Sequence, residues 1–214
     1  MSRFRLHYKN NPYRLLGVAH HSETQEKLAL YECLYPTDLG PLWVRPYDMF
    51  FGQIGGAGEG GSQPRFREVP VRIESFTSLG EPAWFLLEPL LREIFGEAER
   101  ARVEDRMMAY PDPLIQFAFL EKDFVGFKIG HGSEDGIYES WLGGVREDRR
   151  GLGVGRALMA AQHAFARERR YRRVRAKTLS RWREMLVFNL RAGFEVVGTE
   201  KDRHVLKIIL EKFL

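Results

Sequence analysis

Three glycines within five residues, Gly151, Gly153 and Gly155, open a helical pattern in the stretch RRGLGVGRALMAAQ. Glycine costs about 1 kcal/mol relative to alanine inside a helix, so this position must need a backbone without side chains. The first N–H groups of a helix lack intrahelical partners and carry the positive end of the helix dipole, so glycines there let an anion approach them. Arg150 and Arg156 add positive charge. The spacing predicts a phosphate-binding loop, with a tight strand-to-helix turn on a basic surface as the alternative.

Basic residues are concentrated around this loop. Residues 146–191 contain fourteen Lys and Arg against four acids, a local charge of +10, whereas the whole 214-residue chain carries +4. The rest of the chain is therefore acidic. Such a basic segment suits either nucleic acid or a small ligand with several phosphates.

The composition limits the class of protein. Hydrophobic residues make up 44% of the chain and charged residues 29%, which is typical of a globular protein that buries a core. No apolar run is long enough to span a bilayer, and the first residues lack the apolar centre of a secretion signal, so we expect a cytoplasmic protein without membrane contact. The single cysteine, Cys33, excludes an internal disulfide and a thiolate metal cluster. His20 and His21 would point to opposite faces of a strand, and we expect no metal.

From residue 69 onward, apolar periodicity predicts the order β-α-α-β-β-β-α-β-α-β-β. The predicted strand YESWLGGV comes directly before the glycine loop, and its Gly143 and Gly144 would let a ligand approach the backbone closely. In the helix after the loop, Val154, Leu158 and Phe165 share one apolar face. These elements would bring the strand and the loop together at one site.

The first part of the chain has a different pattern. In residues 1–66, short apolar runs such as YRLLGVA alternate with polar turns, which predicts a small, separate β-rich domain. Its His7, its HSET segment and Trp43 resemble a short bacterial domain family of unknown function. That resemblance implies a domain boundary and no particular activity.

A glycine-rich segment lies near the end of this first part. Six glycines occur in residues 52–61, and Gly56, Gly58 and Gly61 have the G-x-G-x-x-G spacing of a dinucleotide-binding loop. That loop requires a helix directly after it, and no helical pattern follows here. We therefore expect a hairpin tip or a linker.

The glycine loop also carries a family resemblance. The R/Q-x-x-G-x-G/A pyrophosphate loop of the GCN5-related N-acetyltransferases, the GNAT superfamily, is similar to six consecutive residues of this chain: Arg150, Gly151, Leu152, Gly153, Val154 and Gly155. The later segment MLVFNLRAGFEVVG resembles the second cofactor motif of that superfamily, a helix that ends in Gly-Phe before the next strand. The resemblance implies an α/β (α+β) fold for residues 67–214, with a mixed, mostly antiparallel sheet flanked by helices.

The resemblance further implies an acetyl-CoA-dependent N-acetyltransferase in which an amine attacks the thioester directly within a ternary complex. The backbone of the preceding strand would pair with the pantetheine arm, and an amide at its end would polarise the thioester carbonyl. The loop and the first helical turn would hold the pyrophosphate. The residues expected in these roles are Leu142, Gly143, Gly144 and Val145 on the strand, and Arg150 to Arg156 in the loop.

Acyl transfer to an amine also requires a base for the amine proton. Glu139 lies in a region where many members of the superfamily carry a catalytic glutamate. Strict strand alternation would place it on the same face as Trp141 and Val145. A solvated strand carboxylate is the alternative, and Glu104 and Asp105 are further candidates for the base.

The proton donor for the departing thiolate is harder to predict. Many relatives carry a tyrosine four residues before the Gly-Phe pair, but Asn189 occupies that position here. An amide cannot be the acid, although Asn189 could still hydrogen-bond the thiolate or the pantetheine arm. Tyr138 or a water molecule could supply the proton instead.

We therefore expect a cytoplasmic, bacterial, two-domain enzyme that acetylates an amine of a small molecule or a peptide. The concentration of basic residues on the cofactor loop disfavours nucleic acid as the partner, and a homodimer is compatible with the sequence. The alternative is a non-catalytic module that binds CoA or nucleic acid and lost its acid at Asn189.

Overall fold

The computed structural model describes residues 4–55, 61–96, 98, 100–202 and 205–214. The chain divides into two compact units. The first comprises Met1–Val71 together with Arg149–Gly153, and the second comprises Arg72–Asp148 together with Val154–Leu214. The glycine loop therefore belongs to the first unit, and the helix after it to the second.

The first unit is built on a five-stranded sheet in the order β4-β3-β2-β1-β7, with antiparallel neighbours. Aromatic side chains fill its core, where Tyr13 and Tyr31 pack with Phe50 and Phe66. The rings of Phe50 and Phe66 stack with their centroids 4.1 Å apart. The predicted β-rich fold is confirmed, with the elements β1 Phe4–His7, β2 Pro12–His20, β3 Lys27–Cys33, β4 Leu42–Pro46, a short helix α1 Tyr47–Phe51, and β7 Phe66–Glu68.

The glycine-rich segment lies between two short strands of a hairpin. β5 (Gln53–Ile54) pairs with β6 (Gln63–Pro64) in antiparallel register. The strands on either side of the segment therefore pair with each other, as the expected hairpin requires. Gly56 and Gly58, which belong to the dinucleotide-like spacing, lie outside the described residues.

The second unit has the predicted order of strands and helices, with one added turn of 3₁₀ helix. Its sheet runs β13-β14-β12-β11-β10-β9-β8. The pairs β9–β10, β10–β11, β12–β14 and β13–β14 are antiparallel, whereas β11–β12 is parallel. The elements are β8 Val71–Phe76, α2 Glu81–Phe95, α3 Arg100–Ala109, β9 Leu114–Leu120, β10 Asp123–Gly132, β11 Ile137–Val145, the 3₁₀ turn Glu147–Arg149, α4 Val154–Glu168, β12 Arg173–Leu179, α5 Arg183–Arg191, β13 Glu195–Asp202 and β14 Val205–Phe213.

Each face of this sheet has its own hydrophobic core. Strand alternation sends Ile115 into the core that contains α2 and α3 side chains, and its neighbour Leu114 into the core that contains side chains of α4 and α5. The sheet is therefore covered by helices on both faces. None of the described helices is both long enough and apolar enough to cross a membrane.

Candidate active site

A β-bulge in β11 determines which side chains reach the candidate site. Ile129 of β10 pairs with Leu142, while the next residue, Gly130, pairs with Ser140, so Trp141 is the extra residue. The bulge changes the alternation along the strand. Glu139 pairs with His131 and remains on the α3 face, but Val145 pairs with Gly126 and points to α4. The expectation that Glu139 and Val145 share a face was therefore wrong, because strict alternation ignored the inserted residue.

Beyond the bulge, β11 separates from its parallel neighbour. The β11–β12 ladder covers only four residue pairs and ends where Ser140 pairs with Ala176. On the side that faces β12, no strand among the described residues pairs with residues 141–144. On the other side these residues remain paired to β10, apart from the bulged Trp141. Backbone donors and acceptors at such an opening can bind an extended ligand that carries amide groups, as a further strand would. Leu142, Gly143 and Gly144, predicted to contact the cofactor, line this opening.

Two glycines of the loop have backbone conformations that side chains disfavour. Gly151 and Gly153 have φ angles of +78° and +84°, in the left-handed region that side chains disfavour. Within the first unit, a Cβ atom on Gly153 would overlap the ring of Phe4, and a Cβ atom on Gly151 would lie 3.4 Å from Leu34. Glycine is therefore required at position 153 by both its backbone conformation and its close packing.

The helix begins immediately after the loop. α4 starts at Val154 and runs for 15 residues, so its first N–H groups face the loop end and form the positive end of a long helix dipole. Leu152 and Val154 are buried, whereas Arg150 and Arg156 are exposed. The binding of an anion by this loop and by the start of α4 remains a prediction.

Glu139 lines a pocket of about 170 Å³ on the α3 side of the sheet. Its Oε1 accepts a hydrogen bond from Nη1 of Arg175 at 3.0 Å, and the same guanidinium also bonds Asp135 and Glu211. Burial raises the pKa of Glu139, and the positive charge of Arg175 opposes this shift. A carboxyl group with a raised pKa is better suited to accept a proton near neutral pH than an ordinary surface carboxylate. Neither Glu104 nor Asp105 lines this pocket.

The position of Tyr138 does not support its predicted role as the proton donor. Its side chain is fully buried in the α4 core, where its ring packs against Phe165 and Tyr171. Burial is also the largest cause of a strongly raised pKa. The residue preceding Glu139 points to the opposite face of the strand, so Tyr138 does not face the pocket.

Asn189 is buried on α5, with 4% of its surface exposed. Its backbone carbonyl accepts hydrogen bonds from the N–H groups of Ala192 and Phe194 and so helps to end the helix, and Gly193 has a left-handed conformation. These bonds use only the backbone of Asn189. A contact between its side chain and the cofactor remains a prediction.

Most of the residues in the pocket around Glu139 were not predicted from the sequence. The residues that line it come from α3, β10, β11 and β12 and from two short connections. One signal was present in the sequence: His131 continues the alternating buried positions Phe127 and Ile129 on β10, so it should point to the same face. The full lining consists of Arg106, Tyr110, His131, Ser133, Glu139, Ser140, Trp141 and Lys177.

Two family models match the chain. Residues 3–68 match the family described as protein of unknown function (DUF1653), and residues 83–184 match the acetyltransferase (GNAT) family. No match was found among curated proteins. Both of the resemblances expected from the sequence motifs are therefore confirmed.

Solved structures share the fold of the second unit. A GNAT-family protein from Desulfovibrio desulfuricans has a TM-score of 0.58 at 21% identity, over 67% of this chain and 99% of its own. Ard1 from Thermoplasma volcanium has a TM-score of 0.57 at 20% identity, over 67% and 97%. Naa50 from Arabidopsis thaliana, solved with a bisubstrate analogue, has a TM-score of 0.56 at 16% identity, over 66% and 97%. Residues 83–184 thus match the acetyltransferase (GNAT) family, and the chain shares the fold of these solved structures.

Proposed function

We propose that the chain transfers an acetyl group from acetyl-CoA to a primary amine by direct attack in a ternary complex. The observation that supports this most is the opening between β11 and β12 beyond Ser140, which follows Glu139 along β11. Acetyl-CoA would supply the acetyl group as a reactive thioester. The residues present fit it: open backbone groups for the pantetheine amides, and glycines and arginines for the pyrophosphate.

Glu139 is the proposed base in this reaction. The carboxylate accepts a proton from the ammonium of the acceptor, directly or through water. The freed nitrogen forms a bond to the acetyl carbon, the carbon–sulfur bond breaks, and the thiolate leaves with the electron pair and takes up a proton. The backbone of β11 near Val145 is proposed to donate the hydrogen bond that polarises the thioester carbonyl.

The acceptor class is a small-molecule or peptide amine. The pocket beside Glu139 is the proposed acceptor site because it lies on the α3 face, opposite the face that α4 covers. Naa50 from Arabidopsis thaliana was solved in complex with the bisubstrate analogue CoA-Ac-MVNAL. For this chain, such a complex is a proposal.

Mass spectrometry would test the proposal with the full chain, acetyl-CoA and a panel of amino acids, polyamines and short peptides. We expect at least one amine to gain the mass of an acetyl group while free CoA appears in equal amount. The proposal would be overturned if no amine were acetylated and calorimetric titration found no binding of CoA.

A further inference from the structure

The pocket beside Glu139 holds an arginine in a fixed orientation. Nε of Arg106 donates a hydrogen bond to Nε2 of His131 at 3.0 Å. The guanidinium carbon lies 4.8 Å from the ring centroid of Tyr110 and 5.1 Å from that of Trp141. One nitrogen is thus bonded and two aromatic rings flank the group, so its planar fork has little freedom to turn away.

The His131 ring that holds Arg106 is neutral. Its Nδ1 lies 2.7 Å from the carbonyl oxygen of Gly132, which can only accept, so Nδ1 carries the hydrogen and Nε2 accepts from Arg106. Burial, followed by the charge of Arg106, lowers the pKa of His131. The imidazole therefore positions Arg106 without neutralising its charge or adding to it.

The charge of Arg106 has no carboxylate partner within the part of the chain that the structure describes. The other charged residues of the pocket are each paired: Glu139 with Arg175, and Lys177 with Glu200. The pocket therefore contains one cation in excess. An arginine whose terminal nitrogens remain available is well suited to bind a carboxylate or a phosphate through two parallel hydrogen bonds.

We propose that the acceptor is a small amine that also carries an anionic group, a carboxylate or a phosphate, and that Arg106 binds this anion while the amine faces Glu139. This inference rests on the proposed function, because it names the substrate class of the same pocket. A volume of about 170 Å³ suits a molecule of amino-acid size. In such a molecule the ammonium and the anion match the charges of Glu139 and Arg106.

The experiment compares acceptors that differ only in the anion. The full chain with acetyl-CoA is assayed for thiol release with α-amino acids against their carboxamides, and with phosphoethanolamine against ethanolamine. We expect the anionic member of at least one pair to have a kcat/KM at least tenfold higher. The two sets of pairs distinguish a carboxylate from a phosphate.

Two variants connect this preference to Arg106. In Arg106→Gln we expect KM for the preferred anionic acceptor to rise at least tenfold, while KM for the neutral analogue is unchanged. Arg92→Gln removes the same charge from an exposed position on α2, outside the pocket, and should leave the preference intact. Neutral acceptors that react as well as the anionic ones, or a preference that survives Arg106→Gln, would overturn the proposal.

Calorimetric titration of the same acceptors in the presence of CoA separates this inference from the proposed function. Binding of an anionic amine that is lost in Arg106→Gln supports the inference even if no thiol is released, and the missing reaction then counts against acetyl transfer. If no anionic amine binds and none is acetylated, the inference is wrong.

Discussion

At the scale of single residues, the carboxylate of Glu139 has two roles, as the proposed base and as the ion-pair partner of Arg175. Burial raises its pKa and favours a base, while the hydrogen bond from Arg175 joins it to the network between β11 and β12. Glu139 and Arg175 are direct neighbours in the parallel register, so this ion pair also supports the last part of the ladder before the strands separate. A variant must therefore remove basicity without removing this link.

Glu139→Gln keeps the shape of the side chain and a hydrogen-bond acceptor for Arg175, but it removes the basic group. We expect turnover to fall about a hundredfold, within the range for loss of a general base, with CoA binding little changed. Because the raised pKa belongs to a carboxyl group, the wild-type rate should decrease as the pH falls through that pKa. The loss in the variant should shrink as the pH rises and free amine becomes more abundant. Rate measurements across pH would show both effects.

Asp135→Asn is the matched control. Asp135 also bonds Nη1 of Arg175, but it lies outside the Glu139 pocket. This variant should retain nearly full turnover. Equal losses in the two variants, or near-normal turnover in Glu139→Gln, would show that Glu139 acts only through the ion-pair network.

His163, on α4, predicts a pH dependence of stability. Burial, then the charges of Lys212, Lys128 and Arg167, lower its pKa to about 4 from 6.5. The unfolded chain therefore binds more protons than the folded chain between these values, so the stabilising effect of the neutral ring is complete above pH 6.5 and is lost as the pH falls. At pH 5 this loss amounts to about 2 kcal/mol relative to pH 7.5.

Urea unfolding of the wild type and of His163→Gln at both pH values would measure this contribution. We expect the wild type to lose more stability than the variant between pH 7.5 and pH 5, because glutamine does not titrate. Parallel losses in the two proteins would mean that His163 does not titrate in this range.

At the scale of elements, the predicted anion site depends on the junction between the glycine loop and α4. Gly155 lies in the first turn of α4, and a Cβ atom there would be 3.4 Å from the ring of Phe188, an ordinary contact. A side chain at this position therefore fits the fold, in contrast to Gly153, where the conformation and Phe4 exclude one. Position 155 is the better place to test phosphate binding, because a variant there should still fold.

Gly155→Asp should weaken CoA binding at least tenfold, about 1.4 kcal/mol, since it places a negative charge where the pyrophosphate is proposed to bind. An acidic residue in the first turn of a helix is itself favourable, so thermal stability should be retained. Gly155→Ala adds only a methyl group and should bind CoA nearly as well as the wild type. Calorimetric titration that finds equal CoA affinity in all three proteins would contradict the phosphate-binding role of the loop.

At the scale of the whole molecule, the domain boundary predicted between residues 66 and 67 remains a proposal. β7 continues to Glu68 within the first sheet, and residues 149–153 of the loop belong to the first compact unit. We expect the fragment 69–214 to fold and to bind CoA, because β11, α4 and α5 lie within it. Its affinity should be lower than that of the full chain, because Gly151 and Gly153 lose their packing against Leu34 and Phe4.

Calorimetric titration of the fragment and of full-length Phe4→Ala would test this expectation. The variant removes one loop contact from an otherwise complete chain, so it should reproduce part of the loss in affinity. A fragment that unfolds cooperatively but binds no CoA would show that residues 69–214 are not a complete cofactor-binding domain.

Local patterns predicted the features that depend on residues close together in the chain. The order of strands and helices from residue 69 and the start of α4 follow from apolar periodicity and glycine spacing. The family resemblance rested on the same short motifs. Such features are encoded locally because backbone conformation and the first helical turn depend mainly on nearby residues.

The tertiary structure alone decided which side chains meet at the site. The bulge at Trp141 reversed the expected orientation of Val145, because one inserted residue changes the face of every residue after it. Tyr138 is buried in the core, and Arg106 lines the pocket together with residues from three strands. The sequence by itself thus determined the order of the elements and the resemblance to the two families, while the pocket depended on strand register and helix packing, which arise from contacts between residues far apart in the chain.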